Sequence, residues 1–589
     1  MTMSNHRSRR LILGKVPADF DFAVDIPAGP WCFLDHPADF DQWSTYAFVP
    51  DIRADLSHET SLTAFATCME YRDRFFPLLR NRLNAENGLD YSESFWRELL
   101  DYWLITYIQI LFVAQHTAQG LVDQYGDLDL TVELSPNCAC EQFRDTEHFI
   151  EGTVDNLDFF VWAVSRFLEV IAPNRWCVGY EETHGPRMDS RSRMGDVRTW
   201  GRNWARRLWQ RLLVLVAPRC IGVYSLSGWR LIVVSALLSL KPAISRVVLP
   251  RLTVPEGVRP AAKPVPLFGH LGDGRMMDII YQGLPGSFRR IRSLPDLGWR
   301  IRPGKLRILG NRIVSSDSLK KSAALAREGG EFLIGCQHGS GYGDLDLPPT
   351  AIVEFALDAF ITWGWAYHPR YACRYLPLST PHLQKIVHRQ ASRDILFVGL
   401  LIPLFYPRIE GSYGKDIVIR YVRDKIRFLE ALHTGLRGRV LYRPHLYPHT
   451  MNEIPYLQAH FPSLRILTRR PEEELAKCCM AVIDNPSTMF YQALSANVPT
   501  VAYWQRDLYQ MHSRAATLYD DLRRAGILFE DAEAAAAHIN AISANVSVWW
   551  QQPHVQEARA RWCNEYALSR PDWFRTWTQS LWNFGRLSC

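Results

Sequence analysis

"MAVIDNPSTMFYQALSANVPTVAYW", residues 480–504, decides how the chain is read. An apolar run from Met480 to Ile483 stops at Asp484-Asn485-Pro486. Ser487-Thr488 then opens a segment with apolar residues at helical spacing, and Pro499 starts a second apolar run. Two continuous apolar strands joined by a helix of this length form a parallel unit buried on both faces. The rhythm extends upstream. "DILFVGLLI", "RVLYRPH" and "LRIL" read as strands, with helices at 416–434, 452–460 and "PEEELAKC" between them. Residues 391–545 are therefore expected to form a Rossmann-like domain, which binds ligands at the carboxyl ends of its strands.

Toward the amino terminus the alternation is looser. "CIGVYSL", "ISRVVLP", "FLIGCQHG" and "FITWGW" read as strands, and "GWRLIVVSALLSL" and "PPTAIVEFALDAF" as helices. Residues 57–120 carry the 3-4 apolar spacing of buried helices, a third helix is expected over 153–171, and 179–196 reads as a loop. The expected organisation is an α/β domain over 1–390 with a helical insertion at about 57–215, the domain at 391–545, and helices at 546–589 packing back across the protein.

At 589 residues the chain exceeds one core, and 47 % apolar content with 20 Trp, 24 Tyr and 28 Phe supports packed domains over disorder. A net charge of +6 is mild. It argues against general nucleic-acid binding and suits anionic substrates or an anionic membrane surface. The 12 cysteines include no CxxC; Cys138-Ala-Cys140 and Cys478-Cys479 are the close pairs, so reduced thiols are expected. The first apolar run is too short for a secretory leader, and no stretch of about 20 uncharged apolar residues reads as a membrane span. A cytoplasmic protein is expected. "RTWGRNWARRLWQRLL", 198–213, places Trp200, Trp204, Leu208 and Leu212 on one stripe among arginines. That pattern fits a helix lying on the inner face of a membrane, and equally a core-facing helix with a solvated basic back.

The polar residues that matter fall at strand ends. Arg443 and His445 follow one strand, and a guanidinium fork with an adjacent imidazole suits phosphate. Asn485, Ser487 and Thr488 follow another, where the first turn of a helix offers free N–H groups to an anion; Ser487 could equally be an N-cap alone. Gln337-His338-Gly339 ends a third strand in the amino-terminal half, with Gly341 just beyond. An imidazole there can act as general base or donate to phosphate. Glu354 and Asp358, four residues apart on an expected helix, could face the same cleft. "DLD" at 344–346 is an acidic triplet common by chance, and no metal site or cofactor is expected.

In order along nearly the whole chain, "GPWCFLDHP", "DYWLITYIQILFVAQ", "QHGSGYGD", the Glu354 segment, "FITWGW" and "DNPSTMFYQALSANVPTVAY" resemble a group of transferases encoded in bacterial surface-polysaccharide (O-antigen) gene clusters. The group looks like two-domain glycosyltransferases of the GT-B type. It is more distantly similar to CDP-glycerol glycerophosphotransferases and to CMP-dependent Kdo and sialic acid transferases. The resemblance implies two Rossmann-like domains facing a cleft. It implies a base role for His338 and nucleotide-phosphate contacts from Arg443, His445, Ser487 and Thr488. "RPHLYPH" lacks the proline that those relatives carry directly after the histidine.

The expected activity is sugar transfer from a nucleotide-activated donor, such as a CMP-ulosonate, to a glycan or lipid-linked oligosaccharide acceptor. Glu354 or Asp358 is the nucleophile candidate if configuration is retained. A CDP-alcohol polyol-phosphate transferase and a non-catalytic membrane-surface binding protein are the alternative readings.

Overall fold

The structure is a computed structural model. It describes residues 9–585 apart from 49–57, 137–142, 155, 181–216, 222, 224–225, 227, 245–271, 346–351, 370, 401–403, 405–407, 410–414, 445–450 and 510. The stretch 198–213, His445 and most of the strand expected at 244–250 lie outside the described residues.

Three α/β layers are built on parallel sheets. The first holds β1 (Arg9–Ile12), β2 (Ile26–Pro27), β3 (Leu130–Leu134) and β4 (Cys177–Tyr180), in the order β2-β1-β3-β4. The middle sheet runs in sequence: β5 (Cys220–Ile221), β6 (Leu306–Leu309), β7 (Phe332–Cys336), β8 (Ala359–Thr362) and β9 (Tyr375–Pro377). The third contains β10 (Ile395–Val398), β11 (Val440–Arg443), β12 (Arg465–Ile466), β13 (Met480–Ile483), β14 (Thr500–Tyr503) and β15 (Leu528–Phe529), ordered β12-β11-β10-β13-β14-β15. Every residue of β7, β8, β10, β13 and β14 is buried, as strands covered on both faces require.

The first sheet is the part that the sequence reading lacked. Its strands are short, β1 begins with two arginines, and β4 is largely exposed, so no long apolar run announces them. The long connection from β2 to β3 carries the 30-residue helix His58–Asn87 and the 33-residue helix Glu93–Tyr125. The second starts where the Ser92 hydroxyl accepts from Phe95 N–H at 3.1 Å, an N-cap, and it buries Trp96, Trp103 and Tyr107 fully.

The carboxyl-terminal helices link the other two layers. Trp562, on the helix Pro553–Tyr566, packs its ring 4.8 Å from that of Tyr491. The helix Trp573–Asn583 buries Trp573, Trp577 and Leu581 in the same apolar cluster as Leu306, Ile308 and Ile334 of the middle sheet.

The loop after β7 joins the middle and third layers. Gly341 sits at φ +85°, where glycine is favoured, and a Cβ on Gly343 would come within 2.4 Å of the Trp365 ring. The turn brings Asp344, fully buried, beneath two tyrosines of the third layer. The hydroxyls of Tyr491 and Tyr519 both donate to its Oδ2, the latter at 2.6 Å, and Gly341 N–H donates to the Tyr491 oxygen at 3.2 Å. Burial pushes the Asp344 carboxyl up, and the two hydroxyls pull it back down. In Tyr491→Phe the carboxylate keeps one donor and the Gly341 amide loses its acceptor, a cost of about 1.5–3 kcal/mol. Amide exchange over residues 339–345 should accelerate by roughly 10–100-fold. Unchanged protection there would show that these bonds do not hold the layers together.

Candidate active site

The third sheet reverses direction at β10. The chain steps outward through β11 and β12, then returns to β13 on the other side. The carboxyl end of such a switch point is an open crevice, because the two flanking connections leave in opposite directions. Gly399 closes β10 there, its N–H donating to Arg443 O at 3.1 Å. A Cβ on Gly399 would lie 2.4 Å from the Tyr442 hydroxyl, so the backbone stays low. Arg443 stands on one side of that gap and Asp484-Asn485-Pro486-Ser487 on the other, two strand spacings or about 10 Å apart.

Ser487 is extended at the start of the helix Thr488–Ser495, and its side chain makes no cap bond. It is partly exposed, as is Thr488. The Arg443 side chain folds back so that Nη1 donates to the Pro444 carbonyl, leaving Nε without a hydrogen-bond partner. Asn485 is buried and turned inward, with Nδ2 donating to Asp484 Oδ1 at 2.7 Å. It shapes the turn instead of facing the gap.

The β7 loop meets this helix start directly. Ser340 N–H donates to Thr488 Oγ1 at 3.2 Å, and a Cβ on Gly339 would come within 3.3 Å of the same hydroxyl. Gln337 is buried and ties the loop down. Its Oε1 accepts from Trp363 N–H and Trp365 Nε1, both at 2.9 Å, and its Nε2 donates to Gly339 O at 2.8 Å. His338 stands between these anchors with its side chain 34 % exposed.

Three side chains form a line inward from that imidazole. Tyr342 O–H donates to Glu354 Oε2 at 2.8 Å, so the Tyr342 oxygen is free to accept from His338 Nδ1–H at 2.6 Å. Nε2 is then the nitrogen left with a lone pair for a ligand. Glu354 is buried, its Oε1 accepts no hydrogen bond, and that oxygen lies 3.9 Å from His338 Nδ1. Burial holds the imidazole down at about 4. Burial also pushes the Glu354 carboxyl up to about 8, against the opposing pull of the Tyr342 bond. An imidazole kept neutral and a carboxyl shifted toward neutral pH, joined by one hydroxyl, form an arrangement along which a proton can pass.

Asp358 does not join this line. The helix carrying Glu354 is a single turn, Ile352–Phe355, so the two carboxylates do not share a helical face as expected from their spacing. Asp358 instead exchanges bonds with Leu333, its N–H donating at 2.8 Å and its Oδ2 accepting at 2.6 Å. Leu333 is at the amino end of β7, the end away from His338.

The model of a family described as LIC12162 family transferase matches residues 9–581, nearly the whole chain. The chain belongs to this transferase family. No curated protein matches it.

The transferase holds further polar groups under the crevice that the sequence reading missed. Lys425 is fully buried, with Nζ at 2.6 and 2.7 Å from the two Glu453 oxygens, 2.8 Å from the Tyr442 hydroxyl and 4.0 Å from Asp484 Oδ2. Tyr421 O–H donates to Asp484 Oδ1 at 2.6 Å. Burial raises the Asp484 carboxyl to about 6, with Lys425 drawing it down. Lys425 did leave a trace in the sequence. It interrupts the apolar stripe Tyr421, Val422, Phe428 and Leu429 of its helix, where a lone lysine must be paired. Tyr342 left none, because a tyrosine four residues after a histidine is unremarkable until a turn folds one onto the other. Among the described residues no three His, Cys, Asp or Glu side chains gather as a metal site, and no helix is long and apolar enough to cross a membrane.

Proposed function

We propose that this transferase is a glycosyltransferase of the GT-B type. It moves a sugar from a nucleotide-activated donor, with a CMP-ulosonate among the candidates, to a surface-polysaccharide or lipid-linked acceptor. The observation that carries the reading is the Ser340–Thr488 contact. It brings the loop that carries His338, at the carboxyl end of the middle sheet, against the first turn of the helix Thr488–Ser495 at the carboxyl end of the third.

In the reaction the acceptor oxygen gives its proton to His338 Nε2 as that oxygen bonds to the anomeric carbon. Nδ1–H passes its proton to the Tyr342 oxygen, and Tyr342 passes its own to Glu354 Oε2. The imidazole ends neutral, the proton rests on the buried carboxyl, and no charge pair is stranded in the interior. The bond from the anomeric carbon to phosphate breaks, and its electrons leave with the nucleotide. Arg443, Ser487, Thr488 and the first-turn N–H groups supply the field that favours this departure. The basic, tryptophan-bearing stretch 198–213 supports work at the inner membrane face, where a lipid-linked acceptor resides.

A thermal-shift screen of CMP, CDP, UDP, GDP and dTDP tests the donor side. One nucleotide should stabilise the protein, by about 2.7 kcal/mol at a hundred times its Kd. Arg443→Ala should remove most of that response. Indifference to all five nucleotides would defeat the reading.

A further inference from the structure

The helix Trp229–Leu240 is apolar on nearly every side, interrupted by Arg230, Ser235 and Ser239. A helix of that kind is normally buried all round. This one is buried along one face, where Leu231, Val234 and Leu238 join the apolar cluster of Ile308 and Ile334 in the middle sheet. Trp229, Ile232, Ala236 and Leu240 recur at the spacing of one stripe on the opposite side. All four are exposed, Trp229 at 63 % and Leu240 at 78 %. Half-buried Val233 and Leu237 widen the stripe, which runs for about 16 Å at 1.5 Å per residue.

The helix Trp573–Asn583 extends this surface. Its Trp573 ring lies 6.3 Å from that of Trp229, and Phe574 is exposed next to it. Neither helix contains an Asp or Glu, although Asp572 precedes the second, and each contributes an arginine, Arg230 and Arg575. Cations gather at both ends of the stripe. At its start the Arg230 guanidinium lies 5.9 and 5.6 Å from the Trp229 and Trp573 rings. Burial lowers Lys385 nearby, and Arg230 lowers it further against the pull of Glu472. At its end Lys305 Nζ donates to Ser239 O at 3.1 Å, and burial with the charges of Arg219 and Arg302 lowers that lysine too. Cations crowded at the ends of an apolar stripe favour an anionic partner. Two copies of this chain would not supply one, because pairing the stripes in either direction sets cationic ends against each other. A bilayer does, since aromatic rings settle at headgroup level and basic side chains are drawn to anionic lipid.

We propose that this stripe docks the transferase on an anionic lipid bilayer, with Trp229, Ile232 and Leu240 entering the headgroup boundary. The fold orients the docked molecule. The helix starts beyond the carboxyl end of β5, where Arg230 Nη1 donates at 3.5 Å to the carbonyl of Pro381, past the carboxyl end of β9. Its last turn reaches Lys305, at the amino end of β6. Because the strands are parallel, the Trp229 end lies toward the same end of the sheet as His338. Delivery of a lipid-linked acceptor to that end rests on the glycosyltransferase reading; the docking itself does not.

Co-sedimentation of the full chain with vesicles of phosphatidylcholine, with and without phosphatidylglycerol, tests the proposal. The parent should bind the phosphatidylglycerol vesicles, more weakly as salt rises, and bind pure phosphatidylcholine less. Leu240→Glu should weaken that binding about tenfold or more, and Ile232→Glu should weaken it too. Both positions are exposed, so the new carboxylates stay in water, and unfolding midpoints equal to the parent's show that the variants fold. Variants that bind vesicles like the parent, equal binding to both lipid mixtures, or no vesicle binding at all would overturn the docking. So would a parent that pairs in solution, binds no vesicle and separates on Leu240→Glu, since a second copy would then cover the stripe. If the nucleotide thermal shift survives such a result, the transferase reading stands and the docking alone is lost. Vesicle binding without a response to any nucleotide would leave the docking and remove the glycosyltransferase reading.

Discussion

A Lys425→Met chain should unfold about 3–5 kcal/mol more easily than the parent, the usual cost of removing one partner from a buried ion pair. Among the described residues the ammonium is the one cation bonded to Glu453, Asp484 and the Tyr442 hydroxyl, Tyr421 also donates to Asp484, and the lysine is fully buried. Methionine fills the space without supplying the charge, and both carboxylates are left in a medium that cannot solvate them. Adding Glu453→Gln should recover part of the loss, because the double variant strands one carboxylate instead of two. The penalty should also be smaller at pH 5 than at pH 8. Asp484 already titrates near 6 with Lys425 present, and without it the carboxyl rises further and is protonated at the lower pH. Urea unfolding followed by tryptophan fluorescence reads these differences. A midpoint equal to the parent's at pH 8 would mean that water reaches the cluster.

His338→Ala should lower transfer by about 10²–10⁴-fold, the range that a positioned general base supplies. The nucleotide thermal shift should be intact, because the imidazole belongs to the other layer. The pH profile separates the relay from an isolated base. Burial holds His338 near 4, so a histidine acting alone would be deprotonated and fully active throughout the neutral range. The relay also needs an ionised Glu354, whose carboxyl burial lifts to about 8. The rate should therefore climb as pH rises through about 8 and level off above it. Glu354→Gln should abolish that limb and slow the reaction, and Tyr342→Phe should do the same by removing the hydroxyl that joins them. A profile already flat from pH 5 upward in the parent would exclude Glu354 as the proton's destination.

The legible parts of the molecule were those where local pattern and burial coincide. Fully buried parallel strands such as Met480–Ile483 and Thr500–Tyr503 are continuous apolar runs, and proline and hydroxyl residues mark where the next helix begins. The β1–β4 sheet gave no such signal. Its strands are two to five residues long and partly polar, and its central pairing, β1 with β3, joins strands more than a hundred residues apart. Asp358 illustrates the reverse error. A four-residue spacing implies a shared face only while the helix lasts, and here it lasts one turn.

The sequence alone determined that strands and helices alternate over 391–545, that His338, Arg443, Ser487 and Thr488 fall at strand ends, and that a long helical pair precedes them. Those features depend on hydrophobic periodicity and on turn-forming residues, which act over a few neighbours. Only the tertiary structure decided that Thr488 receives Ser340, that Tyr342 bridges His338 to Glu354, and that Lys425 sits between two carboxylates. These pairings join groups through folded turns and across separate layers. Their strength comes from burial, which raises the Glu354 and Asp484 carboxyls, lowers the His338 imidazole and makes every unpaired charge expensive. No local pattern carries that information, because burial is a property of the assembled molecule.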